Sequence, residues 1–179
     1  IDIAVTNFNT GTITILLNTT NPNAAQATFG DIQELTIDGG PAFISLGDLN
    51  SDGKLDIVTA NADIGTVSVA LNFTAPGSTT VDFGDNQDFQ TGTVPISIAL
   101  ADLDNDGDLD IATSADSRTA VNVSVAVSKN DGSGSFAPAI NYSGFVGGVG
   151  VKLRDINNDG FADLVYASGI NSAPYDFFT

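Results

Sequence analysis

Residues Asp102-Leu103-Asp104-Asn105-Asp106-Gly107-Asp108-Leu109-Asp110 put oxygen-bearing side chains at positions 1, 3, 5 and 9 of a nine-residue stretch, with glycine at position 6. The pattern occurs twice more, as Asp48-Leu49-Asn50-Ser51-Asp52-Gly53-Lys54-Leu55-Asp56 and as Asp155-Ile156-Asn157-Asn158-Asp159-Gly160-Phe161-Ala162-Asp163. In a tightly curled loop alternate residues point inward together, so positions 1, 3 and 5 converge on one point. Glycine at position 6 permits a positive-φ turn that brings position 9 back to the same point. Hard cations such as Ca²⁺ take about six to eight oxygen ligands at roughly 2.3–2.6 Å. A backbone carbonyl at position 7 (Lys54, Asp108, Phe161) would complete such a set beside the side chains. The stretch reads as a calcium loop, and its three copies as three Ca²⁺ sites.

Asp, Asn and Gly also mark ordinary solvent turns, but here the apolar positions recur with them. Position 2 is Leu49, Leu103 or Ile156, and position 10 is Ile57, Ile111 or Leu164. A polar turn has no reason to keep both a ladder of oxygens and its apolar anchors. An EF-hand would close with Glu at position 12 between two helices, whereas Thr59, Thr113 and Tyr166 stand there. The segments that follow, Leu55 to Asn61, Leu109 to Ser114 and Ala162 to Ser168, are short and largely β-branched or apolar. They read as strands.

The loop, the strand after it, and Phe-Gly at Phe29-Gly30 and Phe83-Gly84 together resemble the FG-GAP (VCBS-like) repeat of integrin-α-type β-propellers. A weaker element, Gly39-Gly40-Pro41, precedes the first loop. The third repeat departs from the pattern, with Phe136-Ala137 and a proline-free Gly147-Gly148-Val149-Gly150. The resemblance covers nearly the whole chain. It implies one propeller blade per repeat, with calcium clamping the hairpin between a blade's first two strands.

The aspartates Asp2, Asp56, Asp110 and Asp163 recur at intervals of 54, 54 and 53 residues. A period near 50 signals a propeller or array. Each repeat also holds a strand of period-two alternation: Ile13, Ile15 and Leu17; Val67, Val69 and Leu71; Val123, Val125 and Val127. Variable Asn/Thr/Pro/Gly-rich turns follow, then a fourth strand expected to carry Phe29, Phe83 or Phe136, then the strand entering the next loop. Those phenylalanines are expected to pack blade against blade. The fold class is therefore all-β: blades of four antiparallel strands, about three blades plus partial ends, in an incomplete or assembling propeller. The array divides into a partial blade at 1–38, repeats at about 39–92 and 93–146, and a partial blade at 147–179. Asp2 matches the ninth loop position, so the chain is expected to begin inside a repeat, processed or trimmed. The tail Tyr175 to Thr179 aligns with Thr14 to Asn18 as the start of a strand. The expectation is a fragment of a longer propeller, or a subunit that closes or extends with further copies of itself.

Composition narrows the function. With 22 acidic residues against five basic ones the net charge is −17, which argues against nucleic acid as a partner, since binding it needs Lys and Arg to neutralise phosphates. Ten of the acids occupy side-chain positions of the loops, and three bound Ca²⁺ would bring the charge to −11. Membrane insertion is not expected, because no apolar run approaches the roughly 18 residues of a spanning helix. No histidine or cysteine is present to serve as general base or thiolate nucleophile, so an enzyme is not expected. Lys152 and Arg154 flank the last loop and soften its negative field. Sequons stand at Asn18, Asn72, Asn122 and Asn141; Asn18, Asn72 and Asn141 are candidate glycosylation sites, while Asn122 lies on an expected strand. The reading is an extracellular or cell-surface calcium-binding scaffold or adhesion module that meets a protein or glycan ligand. A carbohydrate-binding propeller, or a subunit of an extracellular filament of stacked blades, are the alternatives.

Overall fold

The computed structural model describes residues 2–91, 94–115, 123–145 and 148–168. The Asn122 sequon and the aligned tail from Tyr175 to Thr179 lie outside them. Among the described residues there are 13 strands and no helix, arranged as four antiparallel meanders in which each strand pairs with its chain neighbour. The first sheet holds β1 (Ile3–Asn7), β2 (Thr12–Leu16) and β3 (Gln33–Thr36). The second holds β4 (Pro41–Gly47), β5 (Asp56–Asn61), β6 (Thr66–Ala70) and β7 (Gln87–Gln90). The third holds β8 (Pro95–Ala101), β9 (Asp110–Ala115), β10 (Val123–Ser128) and β11 (Ile140–Phe145). The fourth holds β12 (Gly148–Arg154) and β13 (Asp163–Ser168). The sheets are consistent with partial propeller blades, and among the described residues they do not close into a barrel.

Each nine-residue loop joins the first strand of a blade to the second: β4 to β5, β8 to β9, β12 to β13. In all three of those first strands the register shifts at the second residue, between Pro41 and Phe43, Pro95 and Ser97, and Gly148 and Gly150. Proline at the first residue of a strand costs no ladder bond. The asparagines that end β1 and β5 each clamp the strand that follows. Asn61 donates to the hydroxyl groups of Thr66 and Ser68, and Asn7 to those of Thr12 and Thr14.

The sheets stack face to face. The strands β4, β8 and β12 lie side by side (β4 against β8, β8 against β12), and β1, β5 and β9 reach β4, β8 and β12 of the next sheet in turn. Period-two alternation then sends each strand's residues into two different cores. Ile57 and Ala70 join Ile13, Ile15 and Ile37 between the first and second sheets. Val58, Ala60, Val67 and Val69 join Leu49, Ile98, Ile111 and Phe136 between the second and third. Ala99, Ala112, Val151 and Leu153 fill the space between the third and fourth. Strands β5 and β6 are buried along their whole length for this reason. Each large aliphatic side chain buried here contributes about 1.5–3 kcal/mol, and almost all of that depends on a neighbouring sheet being present.

The phenylalanines stand ahead of the fourth strand rather than on it. Phe29, Phe83 and Phe136 each form an isolated bridge, to Asn18, Asn72 and Asn130. Phe136 is buried in the second core with its ring edge-on to Phe89, centroids 5.3 Å apart. Phe83 packs on the first core, while Phe29 is 38% exposed.

Candidate metal loops

The three loops share one backbone course. Position 6 has positive φ in each, at Gly53 (84°), Gly107 (97°) and Gly160 (91°), as the turn requires. Position 4 is left-handed as well, at Ser51 (58°), Asn105 (61°) and Asn158 (61°). Non-glycine residues seldom adopt this conformation, and asparagine is enriched among those that do. The small polar residue at position 4 was the signal for this second bend.

These two bends aim a row of N–H groups at the carboxylates. The position-1 carboxylate accepts from the N–H of positions 5 and 6: Asp48 from Asp52 and Gly53 (3.1 and 2.9 Å), Asp102 from Asp106 and Gly107 (3.2 and 3.0 Å), Asp155 from Asp159 and Gly160 (3.2 and 2.9 Å). The position-5 carboxylate accepts from the N–H of position 7, which is Lys54, Asp108 or Phe161 (2.9, 3.0 and 2.8 Å). These contacts hold the carboxyls of Asp52 and Asp159 below the usual carboxylate range; the amides of Asn50 and Asn157 and, at Asp52, the Lys54 ammonium add to the effect. The Lys54 ammonium lies 3.4 Å from Asp52.

In the middle loop, one carboxylate oxygen each from Asp102, Asp104 and Asp106 lies within 4.8 Å of the other two. Two oxygens bound at about 2.4 Å to one ion lie at most about 4.8 Å apart, so this donor set fits a hard cation. Asp104 and Asp106 are exposed and Asp102 is half-buried. The Lys129 ammonium pairs with Asp104 and holds its carboxyl below the usual range. No such acidic triad forms in the other two loops among the described residues. There asparagine takes position 3, and Asn157 turns its amide nitrogen onto Asp159 (2.9 Å). The geometry thus gives one three-carboxylate cluster.

Asp110, at position 9 of the middle loop, is not one of that cluster's three residues. Asp56 and Asp110 are fully buried. Oδ2 of Asp56 accepts from the Leu49 N–H (2.8 Å) and Oδ1 from the Asn72 N–H (2.8 Å). Asp110 does the same with Leu103 (3.0 Å) and Asn130 (2.9 Å). Asp163 receives the Ile156 N–H (2.9 Å), and Asp2 receives the Asn18 N–H (2.8 Å). Burial pushes the carboxyls of Asp56 and Asp110 above the usual range, against the pull of those N–H groups and with help from neighbouring loop aspartates. This residue ties the start of the loop to the far end of its own blade.

Asn18, Asn72 and Asn130 complete that tie and were not singled out as a set by the sequence. The side-chain oxygen of each accepts the N–H two residues on, at Thr20, Thr74 and Gly132. Asn72 donates its amide to the Leu55 carbonyl (2.9 Å). Asn130 donates to Leu109 (3.1 Å) and, across the sheets, to Leu49 (2.8 Å). Asn18 and Asn72 open sequons whereas Asn130 does not, yet all three give their N–H to the position-9 aspartate and take the N–H two residues on with the side-chain oxygen, so the fold by itself accounts for asparagine there. Asn141 is exposed on β11. Lys152 and Arg154 are exposed on β12 beside the last loop.

No curated protein matches the sequence. The model of the FG-GAP-like repeat matches residues 48–113 and 114–166, well over half of the chain. It spans all three loops, and on that match the chain belongs to the FG-GAP-like repeat family.

Proposed function

We propose that this chain is a calcium-binding structural module, extracellular or at the cell surface, that presents its loops as an adhesion scaffold and catalyses no reaction. The observation that carries the reading is the convergence of Asp102, Asp104 and Asp106 in a loop whose backbone course recurs in two further blades. Hard oxygen donors and no nitrogen or sulfur ligands suit Ca²⁺. The loops at Asp48 and Asp155 each take a further ion, with Asn50 or Asn157 supplying the amide oxygen at position 3 and the carbonyl of Lys54 or Phe161 available at position 7. Weaker loops of this kind suit the millimolar calcium found outside cells.

Calorimetric titration of the chelator-stripped chain with Ca²⁺, paired with melting curves in Ca²⁺ and in EDTA, tests the proposal. Each site filled at a hundredfold excess over Kd adds about 2.7 kcal/mol, and each kcal/mol moves Tm by about 2–4 °C in a chain of this size. Three ions and a clear rise in Tm are expected. Identical melting curves in Ca²⁺ and EDTA would refute the role.

A further inference from the structure

Two ion pairs are found among the described residues, and each joins a lysine to a carboxylate of a nine-residue loop: Lys54 to Asp52 and Lys129 to Asp104. The two lysines do not occupy equivalent places in the repeat. Lys54 is position 7 of the first loop, where the second loop has Asp108. Lys129 precedes Asn130, whereas the residue that precedes the equivalent Asn72 is Leu71. Each of these two blades thus carries one such lysine, and where one blade has it the other has aspartate or leucine.

Both ammonium groups nevertheless arrive at one juncture, where the loop meets the end of its blade's third strand. Lys54 starts in the loop and reaches the strand's end: its Nζ lies 3.4 Å from Asp52 and donates to the Asn72 carbonyl (3.3 Å), two residues past β6. Lys129 starts one residue past β10 and reaches into the loop, to Asp104. Asn72 and Asn130 give their N–H to Asp56 and Asp110, so the position-9 tie is made at the same juncture. An exposed ion pair by itself contributes little. Here the ammonium meets a group of like charges: in the second loop, oxygens of Asp102, Asp104 and Asp106 lie within 4.8 Å of one another, a distance at which carboxylates repel. A cation at the juncture relieves that repulsion, whichever chain position delivers it.

We propose that Lys54 and Lys129 are resident counter-ions of the first two loops, holding the carboxylates together while no metal ion is bound and withdrawing when one is. The withdrawal rests on the calcium reading above; the holding does not. Whatever an ammonium contributes to the ion-free loop is subtracted from the ion's affinity, since a ligand shifts an equilibrium only by its differential affinity for the two states. The lysines thereby set the calcium concentration at which each loop fills.

Lys129→Met keeps most of the side chain's length and removes its charge. In EDTA, amide exchange at Asp106, Gly107 and Asp108, whose N–H groups bond to loop carboxylates, should quicken about two- to fivefold. The calorimetric Kd of this loop for Ca²⁺ should fall by a similar factor. The matching amides of the first loop, at Asp52, Gly53 and Lys54, should not change, and Lys54→Met should reverse the pattern. Lys129→Leu combined with Asp108→Lys gives the second loop the first loop's arrangement and should return exchange to the parent's rate. Unchanged exchange in EDTA, weaker calcium binding by Lys129→Met, or a relocated lysine that fails to restore the parent's rate overturns the proposal. A parent chain that binds no Ca²⁺ refutes the calcium reading, and the withdrawal with it; exchange in EDTA still supports or overturns the holding role.

Discussion

Replacing Asp56 by alanine isolates the tie between a loop and its blade. The side chain is fully buried and accepts two N–H groups, from Leu49 and Asn72, each at 2.8 Å. A buried donor left without an acceptor costs about 1–3 kcal/mol. The Leu49 N–H is enclosed and falls in that range; the Asn72 N–H is partly accessible, so water recovers some of its loss. A further part returns because burial already disfavours the charged carboxylate that is removed. The expected net loss is roughly 1–3 kcal/mol, or about 2–12 °C in Tm. Asp106→Ala is the comparison: its side chain is exposed and accepts the Asp108 N–H at a solvated position. In EDTA it should stay within about 0.5 kcal/mol of the parent. Melting curves in EDTA give the two values, and amide exchange at Leu49 and Asn72 reports the bonds directly. If Asp56→Ala melts with the parent, or Asp106→Ala is the more damaging, position 9 is not the structural tie argued here.

Calorimetry on single-loop variants should rank the Asp102 loop as the tightest calcium site, because it alone has carboxylates at positions 1, 3 and 5; finding it weakest would reverse the charge argument. Lys129→Ala should tighten that same site, since the ion no longer displaces an ammonium from Asp104, and a weaker site in the variant would show that Lys129 supports the loop instead. Gly107→Ala adds a Cβ that meets nothing within 4 Å, so its cost comes from a φ of 97° alone; a loss of about 1 kcal/mol or more is expected in urea melts, and no loss would mean the loop can turn another way. Carboxyl NMR titration of the calcium-free chain should find Asp52, Asp104 and Asp159 below the ordinary value of about 3.9 and Asp56 and Asp110 above it. The first three contribute stability that is present above the unfolded value and lost as pH falls through their lower folded values. The second pair contributes stability that is present below the unfolded value and lost as pH rises through their higher folded values. A common titration for all five would contradict the geometry.

The strands were legible because their period-two alternation is what a two-faced blade demands. Ile13, Ile15 and Leu17 do share one core, and Val67, Val69 and Leu71 share the next. The loop backbone was legible through glycine at position 6, because only one residue type takes that φ without strain. The positive φ at Ser51, Asn105 and Asn158 was harder to see, since small polar residues occupy turns of many kinds. The phenylalanines misled about strand four because an aromatic beside polar residues resembles a half-buried strand, while a single bridge leaves no periodic trace. The structural role of Asn72 and Asn130 stayed hidden for a different reason. Their partners, Asp56 and Asp110, lie 16 and 20 residues away, and local pattern does not encode bonds of that span.

These long bonds change how the loops relate to each other. The Leu49 carbonyl, in the first loop, is held by the Asn130 amide; the Asn130 N–H is held by Asp110; and Asp110 holds the Leu103 N–H in the second loop. One unbroken hydrogen-bonded path therefore runs between two loops on different blades. Leu49 itself lies in the core that joins those blades. In an array where each repeat is stabilised through its neighbour's interface, an order imposed on one loop is felt first in that interface, then in the next loop. A ligand that orders the Asp102 loop thus also fixes the tie on which the Asp48 loop leans. The physical unit of the array is accordingly the seam between two blades: two loops, one tie, and the apolar plug that the tie holds in place.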